Sequence, residues 1–381
     1  MKVKLGDICT FQSGGTPSKG TEAFFNGTIP WITTTALNGG KIDETQAVAW
    51  ITEKAIEKSA AKLVPAFSIM VGTRVGVGKV AVNTVQMSTS QDIISLLNID
   101  ENRWSKDYLC EFIQGKNTFL NSQARGATIK GIKIDVLANL ELEEIPLIEQ
   151  VRISETIDKV KEILNARKRE LLELDKLVKA RFVELMDSAE LCETTTIEAI
   201  TKRVKVGFVG TCEKFYTDAS SGVPMLRTGN ITDSGIDLKS VKYVTEEFHK
   251  KNKKSQIHEG DLLIARHGSN GQANVYLGPE AQCLNAVVIV PNQQVARSVF
   301  LAGLINSPVV KEQIDKTLVG STQHVVNTKS IANLKVRIPD LLIQKQYEDF
   351  VEEISKSKSA VQKSLDETQV LFDSLMQKYF G

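Results

Sequence analysis

Apolar positions follow two different periods along this chain, and the change between them occurs twice. Over roughly the first 145 residues the apolar runs are short and broken by Gly, Pro, Asn and Asp, the pattern of strands and turns. Ala66–Arg74 and Ile93–Leu97 read as strands, and Lys106–Asn117 reads as a helix. From Pro146 to Met186 the spacing becomes three-to-four, with no Gly and no further Pro, along Val151, Ile157, Val160, Leu164, Leu171, Leu174, Leu177, Val178, Phe182 and Leu185. The sequence then repeats itself. Gly260–Arg266 and Val287–Val290 read as strands, Val299–Lys316 as a helix, and Pro339–Phe380 as a second long stripe through Phe350, Val351, Ile354, Val361, Leu365, Leu371, Phe372, Leu375 and Tyr379. Proline suits the first turn of a helix, where its missing N–H costs nothing.

The repeat extends to particular residues, as repeated architectures require. Ile29-Pro30-Trp31-Ile32 matches Val223-Pro224-Met225-Leu226, 194 positions on (30 to 224). Trp50-Ile51-Thr52 matches Tyr243-Val244-Thr245, and Thr73-Arg74-Val75-Gly76 matches Ala265-Arg266-His267-Gly268. One inserted residue then aligns Gly78-Lys79-Val80 with Gly271-Gln272-Ala273. Gly126-Ala127-Thr128 matches Gly320-Ser321-Thr322, Leu137–Leu140 matches Ile331–Leu334, and Gln150 matches Gln344. Matches in one order at nearly one offset define two similar halves. Each half is a mixed α/β domain without βαβ alternation, followed by a long amphipathic helix of coiled-coil type. A helix of ~38 residues spans ~57 Å at ~1.5 Å per residue, which would hold two heads apart. Folding the second helix back along the first buries both stripes, predicting two heads on an antiparallel two-helix stem with a pseudo-two-fold repeat. Pairing of helices between separate chains is the rival. The expected boundaries are 1–148 for the first head, 149–189 for its helix, 190–342 for the second head and 343–381 for the last helix.

Composition changes the picture little. At 42% apolar and 24% charged residues the chain is globular rather than disordered. The N-terminus lacks a signal-peptide run and no stretch approaches a membrane span, so a cytoplasmic protein without a membrane partner is expected. Five scattered cysteines without a C-x-x-C pair favour buried thiols over disulfides or zinc. With 47 basic against 46 acidic residues the net charge is +1, which is not the footprint of a small basic DNA-binding module. A large chain can still gather its cations on one face.

The order of elements, with the opening Leu5-Gly6-Asp7-Ile8-Cys9-Thr10-Phe11-Gln12-Ser13-Gly14-Gly15-Thr16-Pro17-Ser18, Ile29-Pro30-Trp31-Ile32, Gly260-Asp261-Leu262-Leu263 and the helix entry Pro146-Leu147-Ile148-Glu149-Gln150, resembles the specificity subunits of type I restriction–modification systems. Phe67-Ser68 departs from the Gly-Asp of the second half, and Pro339–Gln344 is a looser entry motif. The resemblance implies two target recognition domains of an α+β fold on a helical stem. It implies a non-catalytic subunit that reads a bipartite, asymmetric site in double-stranded DNA. Its implied partners are two methyltransferase subunits and restriction motor subunits. A specificity subunit of a related type II system, and a coiled-coil scaffold that never meets DNA, remain alternatives.

Candidate contacts follow from position and chemistry. Arg74 and Arg266 sit where a strand meets a Gly-containing turn; each suits guanine or phosphate recognition, and each equally suits a structural ion pair. Asn270 and Gln272 occupy the longer second turn, as base readers or ordinary turn residues. Thr33, Thr34 and Thr35, and their counterparts Arg227 and Thr228 with nearby Asn230, follow the proline-containing strands. Lys79, Lys130 and His324 fall in or beside glycine turns. Lys250, Lys251, Lys253 and Lys254, in the stretch His249–Lys254, form the strongest basic run, which suits phosphate attraction or a solvated helix end. Gly72–Val80 is not a phosphate-binding loop, because five residues separate its first Gly from Gly78-Lys79 and Val80 follows. The four histidines all lie in the second half without metal-ligand spacing. No catalytic residue, metal site or cofactor is expected.

Overall fold

The structure, a computed structural model, describes residues 1–126, 128, 130–189, 192–232, 235–266, 271–318 and 325–381. The chain divides into two compact units, Met1–Lys168 with Lys363–Gly381, and Arg169–Gln362. Each unit contains one sheet-rich head and a part of each long helix.

In the first unit the strands are β1 (Lys2–Lys4), β2 (Thr10–Ser13), β3 (Phe25–Ile32), β4 (Lys41–Ile42), β5 (Ala49–Ile51), β6 (Leu63–Val64), β7 (Ile69–Gly72), β8 (Val80–Asn83), β9 (Met87–Thr89), β10 (Ile93–Leu97) and β11 (Glu141–Glu143). The helices are α1 (Glu53–Lys58), α2 (Lys106–Gly115), α3 (Asn117–Gln123), α4 (Ile134–Ala138) and the start of α5 (Leu147–Ser188). One sheet has the order β2-β10-β7-β8-β4, a second β5-β3-β9-β6, and β1 pairs with β11. β7 and β8 are buried throughout, and apolar but for the terminal Asn83, because both faces of their sheet are covered. Ile69, Val71, Val80 and Val82 pack with Leu109, Phe112 and Ile113 of α2, while Met70 and Ala81 point the other way, to Ile32, Ile42 and Met87. The strand period of two thus assigns alternate residues to two cores.

The second unit repeats this plan. Its strands are β12 (Glu193–Thr196), β13 (Thr201–Val206), β14 (Tyr216–Thr217), β15 (Val223–Arg227), β16 (Ile231–Thr232), β17 (Gly235–Ile236), β18 (Lys242–Val244), β19 (Gln256–Ile257), β20 (Leu262–Ala265), β21 (Ala273–Val275), β22 (Ala281–Leu284), β23 (Ala286–Pro291) and β24 (Lys335–Ile338). Its helices are α6 (Glu246–Lys251), α7 (Ser298–Ile305), α8 (Pro308–Leu318), α9 (Thr328–Ala332) and the start of α10 (Leu341–Phe380). Sheets run β13-β23-β20-β21 and β14-β18-β15-β22-β19, with β12 paired to β24. Register shows the duplication at the level of single residues. Ile69 opposes Leu96 and Val82 in the first head, and Leu262 opposes Ile289 and Val275 in the second. The parallel pairs Trp31–Ser88 and Met225–Gln282 are likewise equivalent.

Three local features depart from the sequence expectation. The helix expected over Val299–Lys316 is two helices, because Pro308 cannot donate within a continuing helix and instead begins α8. Lys106–Asn117 likewise divides, with Lys116 outside helical geometry between α2 and α3. The strand expected from Ala66 begins only at Ile69, because Phe67 is in the left-handed region at φ +61°. Its counterpart Gly260 has φ +89°. Glycine accepts that geometry freely, whereas a side chain costs ~1–2 kcal/mol. Phe67 is 57% exposed and recovers little by burial. Phe67→Gly is therefore expected to stabilise the first unit by about 1 kcal/mol, read as an upward shift in its thermal unfolding; an unchanged or lower midpoint would contradict this.

The two long helices run 42 and 40 residues. In the second unit Asp175 meets Lys358 at 2.6 Å, Arg181 lies over the Phe350 ring, and the Phe182 and Tyr347 rings are 5.2 Å apart. As one number rises the other falls, so the helices pair antiparallel. In the first unit Ile153 and Ile157 of α5 share a core with Phe372, Met376 and Phe380 of α10. Val151 and Leu177, expected on the buried stripe, are exposed, as are Ile148, Ile163 and Leu172.

Each helix is pinned to its head by a wholly buried glutamine. The Gln150 Oε1 accepts from the Ser105 backbone N–H at 2.9 Å, and its Nε2 donates to the Arg103 and Ile145 carbonyls at 2.8 and 2.9 Å. Gln344 repeats the set with the Arg297 N–H and the Val295 and Pro339 carbonyls, all at 2.9 Å.

Candidate nucleic-acid interface

The same strand ends converge on one edge of each head. In the first head the C-terminal ends of β3, β7 and β9 and the start of β10 bring residues 33–35, 73–74 and 90–92 together. The Thr73 N–H donates to the Asp92 carbonyl at 2.8 Å, and the Ser90 N–H to the Ile32 carbonyl at 2.9 Å. Arg74 is mostly exposed, with Nη1 3.7 Å from Asp92 Oδ1. Thr33 and Thr35 share a hydroxyl hydrogen bond of 2.8 Å, while Thr34 is buried with its methyl group over Gly72. Lys79 is exposed in the β7–β8 turn, where Gly76 and Gly78 both take φ +79°. The Gly131 backbone exchanges two hydrogen bonds with Arg125, and the Ile132 N–H donates to the Thr73 carbonyl at 2.8 Å. This brings the segment holding exposed Arg125 and Lys130 against Arg74.

The second head builds the same edge with different side chains. Arg266 donates from Nη1 to Asn285 Oδ1 at 3.0 Å and from Nε to the Val326 carbonyl at 3.3 Å. The Thr228 hydroxyl donates to the Asn285 carbonyl at 3.2 Å. Arg227 ends β15, and its buried Nε has no hydrogen-bond partner among the described residues. Burial and the Cys212 thiol push the neighbouring Tyr216 phenol above its ordinary range, with the Arg227 charge opposing that shift. Gln272 is half-buried just before β21. Asn270 and His324 lie outside the described residues.

Other candidates lie outside this cluster of contacts or are engaged within the head. Asn230 is buried, accepting from the Arg227 N–H at 2.9 Å and donating to the Asp237 carbonyl and Ser240 Oγ. Thr34 is buried as well, at 5% exposed. In the basic run, His249 is buried among Gln256, Gln282 and Glu280. Lys250 and Lys251 end α6, where cations suit the carbonyl end of a helix, and Lys253 and Lys254 are exposed just beyond it. Among the described residues, no hydrogen bond or ion pair joins these lysines to the Arg266–Asn285 edge. Sequence reasoning missed Asp92 and Asn285, which meet the two arginines at equivalent places. A signal was present, since both directly precede a strand of the repeat.

Burial pushes the Cys9 and Cys283 thiols up to about 12, which suits inert core cysteines rather than nucleophiles. Among the described residues no group of His, Cys, Asp and Glu is placed to hold a metal, and no helix is long and apolar enough to cross a membrane.

Comparison with known proteins gives a consistent family. The type I restriction modification DNA specificity domain matches residues 1–174 and again 195–368. The EcoBI specificity subunit of Escherichia coli is 20% identical over 310 residues, covering 74% of this chain and 65% of that one. The MjaIX specificity subunit of Methanocaldococcus jannaschii is 21% identical over 397 residues, covering 98% and 91%. Among solved structures, the S subunit of a type I restriction-modification system from M. genitalium aligns with a TM-score of 0.58 at 16% identity, covering all of this chain and 96% of that one. A chain from a structural account of complex assembly and conformational transition in the type I R-M system aligns at 0.64 and 14% identity, covering 100% and 97%. At such identities the solved structures speak for the fold, while the domain match spans most of the sequence. With one copy of that domain in each half, the chain belongs to the type I restriction modification DNA specificity family.

Proposed function

We propose that this chain is the DNA-reading subunit of a type I restriction–modification complex, with each head reading one half of a bipartite, asymmetric site in double-stranded DNA. The observation that carries this reading is the pair of equivalent edges, each of which presents an arginine at the end of its central strand, one residue apart in register and among different side chains. A common frame with unlike tips suits recognition of two unlike half-sites. The proposed contact set is Thr33, Thr35, Arg74, Lys79 and Lys130 in the first head and Arg227, Thr228, Arg266 and Gln272 in the second. Asn270, His324 and the lysines at 250, 251, 253 and 254 remain in the set as positioning contacts to phosphate or loop contacts to bases.

Two methyltransferase subunits would dock on the helices, and restriction motor subunits would join them. Exposed Ile148, Ile163, Leu172 and Leu177 of α5 support such docking, because apolar side chains on a helix gain from being covered. The chemistry would belong to those partners in the cytoplasm, with no catalytic residue in this chain.

The test is the methylome of a cell co-expressing this chain with a type I methyltransferase subunit that it binds. Adenine methylation at a new bipartite motif is the expected result, and exchanging residues 1–148 for another head should change one half-site only. A complex that forms with a competent methyltransferase yet produces no new motif would overturn the proposal.

A further inference from the structure

We infer that Asp92 and Asn285 are specificity-determining residues that read bases of opposite hydrogen-bonding character in the two half-sites. This rests on the DNA-reading function proposed above. The two residues are structural equivalents: each directly precedes the strand, β10 or β23, that pairs with β7 or β20. Each meets an arginine from the end of the paired strand, Arg74 Nη1 lying 3.7 Å from Asp92 Oδ1 and Arg266 Nη1 3.0 Å from Asn285 Oδ1, although Arg266 takes the register place of Thr73 rather than that of Arg74. Each is held by its backbone. The Asp92 carbonyl accepts from the Thr73 N–H, and the Asn285 carbonyl accepts from the Thr228 hydroxyl. The Asn285 N–H donates to the Phe208 carbonyl at 2.9 Å, in a left-handed turn at φ +54° that asparagine and aspartate both tolerate. Both side chains are partly exposed at the edge where the candidate contacts gather.

The arginine contact then decides what each side chain can still do. In the second head Arg266 occupies the carboxamide oxygen, leaving the Nδ2 amide as a donor with no partner among the described residues. Such a group recognises an acceptor: N7 or O6 of guanine, N7 of adenine, or O4 of thymine. In the first head an ionised Asp92 can only accept, so it selects a base that donates, cytosine through N4 or adenine through N6. Opposite polarity at one structural position is a direct way for a duplicated frame to read an asymmetric sequence.

The experiment uses the full chain in complex with its methyltransferase subunit, carrying Asp92→Asn, Asn285→Asp, or serine at either position. Methylated motifs and relative rates on oligonucleotide duplexes varied at each base pair are the readouts. Asp92→Asn should change or relax one base pair in one half-site, with a drop of roughly tenfold in preference for the original base. Asn285→Asp should do so in the other half-site, toward a donating base. Serine, which keeps some hydrogen bonding without fixed polarity, should relax the same single position if the exchanged variant fails to fold. If the wild-type complex methylates a bipartite motif while all folded variants keep that motif and their base preferences within twofold, the inference is wrong and the DNA-reading function stands. A uniform loss across all base pairs would also overturn it, marking these residues as supports for arginine. Absence of any motif with the wild-type complex would instead count against the function itself.

Discussion

The complex carrying Arg266→Ala is expected to bind its full DNA site tenfold to a hundredfold more weakly than the parent at matched salt. A guanidinium committed to two or more contacts at a base edge is worth about 1–3 kcal/mol of discrimination. Arg266 is well mounted for that role, because Asn285 and the Val326 carbonyl hold it in place before any ligand arrives. The Asn285 side chain it abandons is only partly buried and can take water, while the buried Val326 loses one bond to its carbonyl, so the melting temperature should fall only slightly. Arg74→Ala probes the first half-site in the same way, although its single long contact with Asp92 leaves that arginine less restrained. Titration at several salt concentrations separates two roles. Loss of a base contact leaves the slope of log affinity against log salt unchanged, and loss of a phosphate contact lowers it by about one. Binding within twofold of the parent for both variants would remove this edge from the interface.

Gln344→Leu is expected to destabilise the second unit by roughly 2–4 kcal/mol, and Gln150→Leu the first unit by a similar amount. Each substitution removes three hydrogen bonds from a wholly buried site and strands one backbone N–H and two carbonyls. An orphaned buried polar group costs about 1–3 kcal/mol, and leucine offers none of the lost partners. Because the chain has two units, unfolding should be followed by a probe in each rather than as one transition. The expected result is an earlier transition in one unit per variant. A loss below about 1 kcal/mol in either case would mean that water or a neighbour replaces the glutamine.

The duplication, the sheet-rich heads and the long helices were legible because each leaves a periodic trace. The repeat offset locates Arg74 and Arg266 at the same strand end but misses their register by one residue, because Arg266 takes the place of Thr73: the Ile132 N–H bond to the Thr73 carbonyl is repeated by the Val326 N–H bond to the Arg266 carbonyl. What was not legible depends on partners distant in sequence. Asn230 reads as a polar tip, yet residues up to ten positions away fold over it and use its amide. His249 reads as part of a basic run, but Gln282, 33 positions on, and Glu280 enclose it. Thr34 sits between a half-buried Thr33 and an exposed Thr35, and is buried because the short helical turn beginning there directs it at Gly72. Asp92 became a candidate only when Thr73 and Arg74 were seen beside it. The apolar stripe of α5 was overestimated at Val151 and Leu177, since periodicity identifies a face without stating how much of it the chain itself covers.

The buried glutamines also bear on how such a protein diversifies. Every bond made by Gln150 and Gln344 goes to a main-chain atom, so none depends on which side chains the head carries. A head of the same backbone shape, whatever its sequence, offers an identical socket, and a helix from either half supplies the matching plug. Heads can therefore be traded as cassettes by recombination near the helix start without a compensating change in the joint, and new pairings of half-sites can arise in a single exchange.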